Sequence, residues 1–159
     1  MEKLQLDEYP ITFKNFRGEK GQYNAEGERS FSILIEDPEE AIRLIDLGWA
    51  LRPLKVREEG DPVVHHLPVK VGFGGYSPPR IYKVSMSSNS YVQLDSNTVA
   101  MLDWLSIAHV DVILNPYEWS VLGETGVKAY LNTMFVVLDE NALDLKYAGF
   151  VESGVGYEE

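Results

Sequence analysis

Apolar side chains recur at every second position through most of this 159-residue chain, a spacing that strands use and helices cannot. It is longest near the C-terminus. There, segments 109–119 and 126–138 flank a six-residue connection containing Gly123 and read as a hairpin. Val127, Ala129, Leu131, Thr133, Phe135 and Val137 alternate with Lys128, Tyr130, Asn132, Met134 and Val136. Earlier segments follow the same rule at 11–16, 30–35, 49–57, 63–73, 80–86 and 91–94, with a polar, glycine-bearing loop from Arg17 to Glu28. In these segments Phe13, Phe31, Phe73 and Phe135 share the phase of their aliphatic neighbours, which predicts core positions.

Helical signals are few. Asp37 before Pro38, with Glu40 placed to close a capping box and Gly48 beyond the end, predicts one short helix with Ala41, Ile42, Leu44 and Ile45 inward. Ser96 predicts the start of a second, running to Leu105. Leu143, Leu145 and Tyr147 suggest one further short segment. Many short strands, two small helices and no βαβ rhythm predict a mainly β fold: a small antiparallel OB-like barrel, with a β-sandwich as the competing architecture. The expected organisation is a single domain over 1–150 and a short acidic tail over 151–159.

Chemistry is excluded more readily than assigned. The chain has no cysteine, which removes disulfides, thiolate metal sites and a thiol nucleophile. His65 and His66 are adjacent on a strand and point to opposite faces, and His109 stands alone, so no metal site is expected. Gly72-Phe73-Gly74-Gly75 lacks the spacing and the following Lys-Ser or Lys-Thr of a phosphate loop. No catalytic constellation and no cofactor are expected. No apolar run approaches a membrane span, and Met1-Glu2-Lys3-Leu4 opens no signal peptide, so the expectation is a soluble cytoplasmic protein.

The formal net charge is −11, which taken alone argues against a polyanionic partner. The charge is unevenly spread, however. Residues 11–35 sum to +1 and residues 49–84 to +3, so ten of the fourteen Lys and Arg fall in two net-positive stretches. Rings and cations interleave in the first of these (Lys14, Phe16, Arg17, Lys20, Tyr23, Arg29), in the second (Lys70, Arg80, Tyr82) and on the terminal hairpin (Tyr117, Trp119, Lys128, Tyr130). Single-stranded nucleic acid is held this way, with bases on ring faces and phosphates on cations. Aromatic and basic residues are enriched at protein interfaces as well, so a structural or adaptor protein of virion type is the alternative. Carbohydrate stacking is a third reading.

Several motifs carry a resemblance. They are Ile11-Thr12-Phe13-Lys14-Asn15-Phe16-Arg17-Gly18, Gly21-Gln22-Tyr23-Asn24 and Gly27-Glu28-Arg29-Ser30-Phe31, then Asp46-Leu47-Gly48-Trp49 and Lys55-Val56-Arg57-Glu58-Glu59-Gly60-Asp61. Asn115-Pro116-Tyr117-Glu118-Trp119 and Gly126-Val127-Lys128-Ala129-Tyr130-Leu131 complete the set. Together they resemble the single-stranded DNA-binding proteins of tailed bacteriophages. The resemblance implies an OB-type barrel that coats single-stranded DNA (ssDNA) during phage replication or recombination, in the host-cell cytoplasm. It implies binding positions at Lys14, Phe16, Arg17, Lys20, Tyr23, Arg29, Lys55, Arg57, Tyr117, Trp119, Lys128 and Tyr130. It also implies recruitment of replication or recombination proteins through the acidic tail, and allows an oligomer.

Overall fold

The structure is a computed structural model and describes residues 1–22, 24–55 and 58–140. Its elements are β1 (Leu4–Tyr9), β2 (Ile11–Asn15), β3 (Arg29–Ile35), α1 (Pro38–Asp46), β4 (Arg52–Pro53), β5 (His65–Val71), β6 (Arg80–Ser85), β7 (Ser90–Leu94), β8 (Ile107–Val121) and β9 (Glu124–Leu138). A 3-10 turn at Val99–Asp103 precedes β8. The mainly β expectation holds. The expected segment around Leu143–Tyr147 and the tail over 151–159 lie outside the described residues.

The strands form one sheet in the order β1-β8-β9-β5-β3-β2, with β4 beside β5 and the β6–β7 hairpin attached to β9. By strand pairing this sheet is open. Its two end strands are nevertheless chain neighbours, because only Pro10 separates β1 from β2, and the Pro10 carbonyl accepts the Leu34 amide at 2.9 Å. The expected all-antiparallel sheet is corrected to a mixed one. β5 runs parallel to β9 at Val69↔Ala129 and Lys70↔Tyr130, and β6 runs parallel to it from Arg80↔Thr133 to Val84↔Val137. The segment 72–79 therefore interrupts one line of strand instead of reversing it, which composition alone does not reveal.

Inward-facing residues of every long strand meet in one core that includes Leu6, Phe31, Ile33, Leu67, Val69, Ile81, Leu102, Leu114, Met134 and Val136. The strand β1 is not among the expected strands, although Leu4 and Leu6 bury in alternation with polar residues. Among the described residues of the expected strand at 49–57, only Arg52–Pro53 pair as strand, with Trp49 buried ahead of them.

Two bulges reverse the expected phase of three rings. Phe13 adopts φ 51° where the β2–β3 register shifts, and this turns its side chain out (61% exposed) and Phe16 inward. On β9, Ile113 pairs with Thr133 but Leu114 with Leu131, so Asn132 is the extra residue. Ala129 and Leu131 face the core before it, Met134 and Val136 after it, and Phe135 is left on the surface.

The helix α1 starts as its cap predicts, with the Asp37 carboxylate accepting the Glu39 amide and Pro38 opening the first turn. Its burial is narrower than expected: Ala41 and Leu44 are covered, Ile42 and Ile45 are exposed. Glu40 closes no capping box and instead pairs with Arg43. The second expected helix is only the five-residue 3-10 turn. The Asp95 carboxylate accepts the Asn97 and Thr98 amides (2.8 and 3.0 Å), which tightens this stretch before an α-helix can propagate. Among the described residues no helix is long and apolar enough to cross a membrane.

Candidate nucleic-acid interface

Directly paired residues on neighbouring strands share a sheet face. The register aligns Ser30 with Lys70, Lys70 with Tyr130, and Tyr130 with Asn115, which places this row opposite the core residues Val69, Ala129 and Leu114. Two residues further along β9, Lys128 pairs with Tyr117 on the same outer face, and Trp119 lies across Gly126 beyond it. The alternate positions Glu118 and Val127 point the other way, and Glu118 sits 3.7 Å from the N-terminal ammonium. Strand alternation thus separates Glu118 from Lys128 and the rings, whereas Asp111 and Glu124 keep the phase of the outer face near the two ends of the hairpin.

β5 and β9 pair at just two positions and then diverge. The divergence opens a groove of about 410 Å³ whose polar walls are Asn24, Ser30, Arg52, Lys70 and Lys128. Among the described residues no carboxylate lines it. A smaller hollow of about 280 Å³ adjoins it through Lys70 and adds Glu28, Arg29, Phe73 and Tyr130. Tyr130 stands edge-on to Tyr117, with ring centres 5.9 Å apart, so the two rings brace each other at the rim.

At the far side of this face His66 shares a 2.9 Å hydrogen bond with the Ser32 hydroxyl and meets the ring of Phe13 at 5.2 Å. Burial, with the neighbouring Arg52 and His65 adding to it, holds the His66 imidazole below its ordinary value. It is therefore neutral at neutral pH, and Arg52 is the cation on that flank.

Of the residues expected to bind, Lys70, Lys128, Tyr117, Trp119 and Tyr130 come together here. Arg80 and Tyr82 lie on the same face further along β9, next to Thr133 and Phe135. Others are occupied elsewhere. Phe16 has no exposed surface and stacks on Phe31 at 5.2 Å, so it offers no ring face to a base. Lys14 donates to the carbonyls of Leu102 and Leu105 at 2.9 and 2.8 Å, tying down the end of the 3-10 turn. Arg17 pairs with Glu19 at 2.6 Å and lies over Trp104.

Arg29 donates to the Phe16 and Ser96 carbonyls and covers Phe73, so it lines the smaller hollow as an anchored group. Lys20 and Lys55 are exposed on loops and line neither hollow. Tyr23 and Arg57 lie outside the described residues. Sequence reasoning missed Arg52, Asn24, Phe13 and Phe135 as members of this face. For Arg52 a signal exists, since it belongs to the net-positive stretch 49–84.

Trp119 depends on the glycine opposite it. A Cβ added at Gly126 would come within 2.5 Å of the indole, so the ring must lift to admit it. Gly126→Ala is expected to shift tryptophan emission to longer wavelength, and emission identical to wild type would refute this packing.

Among the described residues no three His, Cys, Asp or Glu side chains cluster as metal ligands. No curated protein matches the sequence. Solved structures share the fold. The ssDNA-binding protein of bacteriophage Enc34 in complex with ssDNA aligns with a TM-score of 0.55 at 11% identity, over 87% of this chain and 88% of that one. A C-terminal truncation of the Enc34 protein gives 0.55 at 12% identity over 87% of each chain. The sequence itself matches the model of a phage ssDNA-binding domain over residues 1–155, which takes in every strand described above. With that span matched, the chain belongs to the phage ssDNA-binding domain family.

Proposed function

We propose that this chain coats ssDNA, without catalysis, by laying it in the groove between β5 and β9 during phage replication or recombination. The observation that carries this is the groove's lining. Arg52, Lys70 and Lys128 converge with no carboxylate among the described lining residues, and Tyr130 and Tyr117 stand at the rim. Cations supply sequence-independent phosphate attraction, and each ring that stacks a base adds about 1–3 kcal/mol.

The topology supports an OB-type reading. With β1 and β2 taken as one strand bent at Pro10, the order β2-β3-β5-β9-β8-β1 is that of a five-stranded Greek-key barrel. In OB barrels oligonucleotides bind on the second and third strands, between the loops joining strands one to two and four to five. The counterparts here are β3 and β5, the loop 16–28 that supplies Asn24, and the β8–β9 hairpin that supplies Lys128. This reading makes residues 1–150 one domain working in the host cytoplasm. Segment 151–159 would then be a tail for replication or recombination partners.

The test is titration with poly-dT. Intrinsic tryptophan fluorescence should be quenched, and three phosphate contacts predict a log–log salt slope of about −2. Unchanged fluorescence and gel mobility at low salt would overturn the proposal. Added magnesium should leave the oligonucleotide intact, and its degradation would indicate a nuclease.

A further inference from the structure

Beyond the groove, the outer face of the sheet carries a second group of rings. Tyr82 pairs with Phe135 across β6 and β9, and their rings stack at 4.7 Å and 15°. Tyr91, on β7, stands nearly perpendicular to both, at 5.5 Å from Tyr82 and 6.1 Å from Phe135. The stacked pair props Tyr91 upright, and 65% of that residue remains exposed. Aromatic surface left open in this way, beside an uncharged strand reading Ser90-Tyr91-Val92-Gln93-Leu94, calls for a ligand.

The route between the two sites is built. Asn132 Nδ2 donates to Asn115 Oδ1, in the row of Tyr130. The Thr133 hydroxyl donates to Asn132 Oδ1 at 2.7 Å, and Arg80 Nη2 donates to that hydroxyl at 3.1 Å. This chain of hydrogen bonds holds an exposed guanidinium over β9 between Tyr130 and Phe135. At the strand rise of about 3.3 Å per residue those two rings are about 16 Å apart. A strand even as compact as duplex DNA, at about 3.4 Å per nucleotide, crosses that gap in at most about five nucleotides. The two flanks of Phe135 differ in charge: Asp111, which accepts the Glu8 amide at 2.8 Å, lies on the β8 side, and Arg80 lies on the β6 side, so a phosphate is drawn along the β6 side.

We infer that the ssDNA track continues out of the groove, past Arg80, onto a second stacking platform made by Tyr82, Tyr91 and Phe135, with Tyr91 as the base-facing ring. This rests on the groove being the primary ssDNA site. It requires two classes of oligonucleotide: short ones satisfied by the groove, and longer ones that also reach the platform.

The experiment measures affinity for oligo-dT of about 5 and about 14 nucleotides, lengths within the range of a single OB fold. Wild type is compared with Tyr91→Ala and Arg80→Gln, and melting temperatures are recorded for each. Tyr91→Ala should weaken the long oligonucleotide by roughly 5- to 150-fold and leave the short one within twofold. Arg80→Gln should lower the salt slope for the long oligonucleotide alone, by roughly 0.7. Unchanged affinity at both lengths overturns the platform. Equal weakening at both lengths also overturns it, since the ring would then act on the groove itself. A wild-type chain that binds neither length sinks the ssDNA reading, and the platform with it.

Discussion

Reversing both lysines of the groove, Lys70→Glu with Lys128→Glu, is expected to remove ssDNA binding at physiological salt while leaving the fold intact. Each lysine lost from a charge-assisted phosphate contact costs about 1.5–3 kcal/mol, and two cost about 3–6. That is a loss of roughly 10²- to 10⁴-fold before the repulsion of two new carboxylates is counted. Stability should hardly change. Neither lysine takes part in an ion pair among the described residues, and both side chains point away from the core. Surface changes of this kind stay within about 0.5 kcal/mol.

The same charge change at Lys14 should behave in the opposite way. Its ammonium serves two backbone carbonyls at the end of the 3-10 turn, so Lys14→Glu costs stability first. Equilibrium binding by fluorescence, with thermal melts in parallel, separates the two outcomes. A double variant that still binds poly-dT like wild type would show that the nucleic acid does not pass between β5 and β9.

A chain of net charge −11 can present such a groove because electrostatic reach is short. At physiological salt fields fade over about 8–10 Å, so carboxylates farther than that from Lys70 contribute little there, and Glu28 lines the adjoining hollow rather than the groove. Their collective effect is to discourage indiscriminate adhesion to polyanions, which leaves the local geometry of Arg52, Lys70 and Lys128 to select the ligand. Specificity for single strands then falls to the rings, since duplex bases are not free to stack on Tyr130 or Tyr91.

Alternation makes most of the strands legible in the amino-acid order, and with them the rows that put Tyr117, Lys128 and Tyr130 on one face. What alternation cannot carry is where its phase breaks. One residue in a left-handed conformation at Phe13, and one unpaired residue at Asn132, exchange inside for outside over the residues that follow. Both breaks sit next to rings that matter. The pattern predicts Phe13 and Phe135 inside and Phe16 outside, and the fold has each of them the other way round. The parallel pairing of β5 and β6 with β9 is equally hidden. It depends on segment 72–79 leaving the strand line and returning to it, and turn residues look the same whether the chain reverses or resumes. The resemblance in the motifs finds the cations and rings of the hairpin. It cannot separate them from residues such as Lys14 and Arg29, whose charges are spent on backbone carbonyls.

Phe16 turns that distinction into a measurement. Its side chain is fully buried and stacked on Phe31, its amide donates to Asp103 at 2.8 Å, and its carbonyl accepts from Arg29 at 2.9 Å. Truncation to alanine opens a cavity where β2, the 3-10 turn and β3 meet, and buried Phe→Ala changes cost about 3–5 kcal/mol. For a chain of this size each kcal/mol lowers the melting temperature by about 2–4 °C, so Phe16→Ala should fall by roughly 6–20 °C. Phe16→Leu keeps most of the volume and should cost less than about 1.5 kcal/mol. Assayed well below its melting point, Phe16→Ala should hold poly-dT within twofold of wild type. Tyr130→Ala should do the reverse, melting near wild type and losing the roughly 5- to 150-fold that one stacked base supplies. The two variants thus distinguish a ring that builds the core from a ring that meets the nucleic acid. If Phe16→Ala kept its melting temperature and lost its affinity, the bulge at Phe13 would be misplaced, and the rings of β2 would have to be turned back toward the DNA.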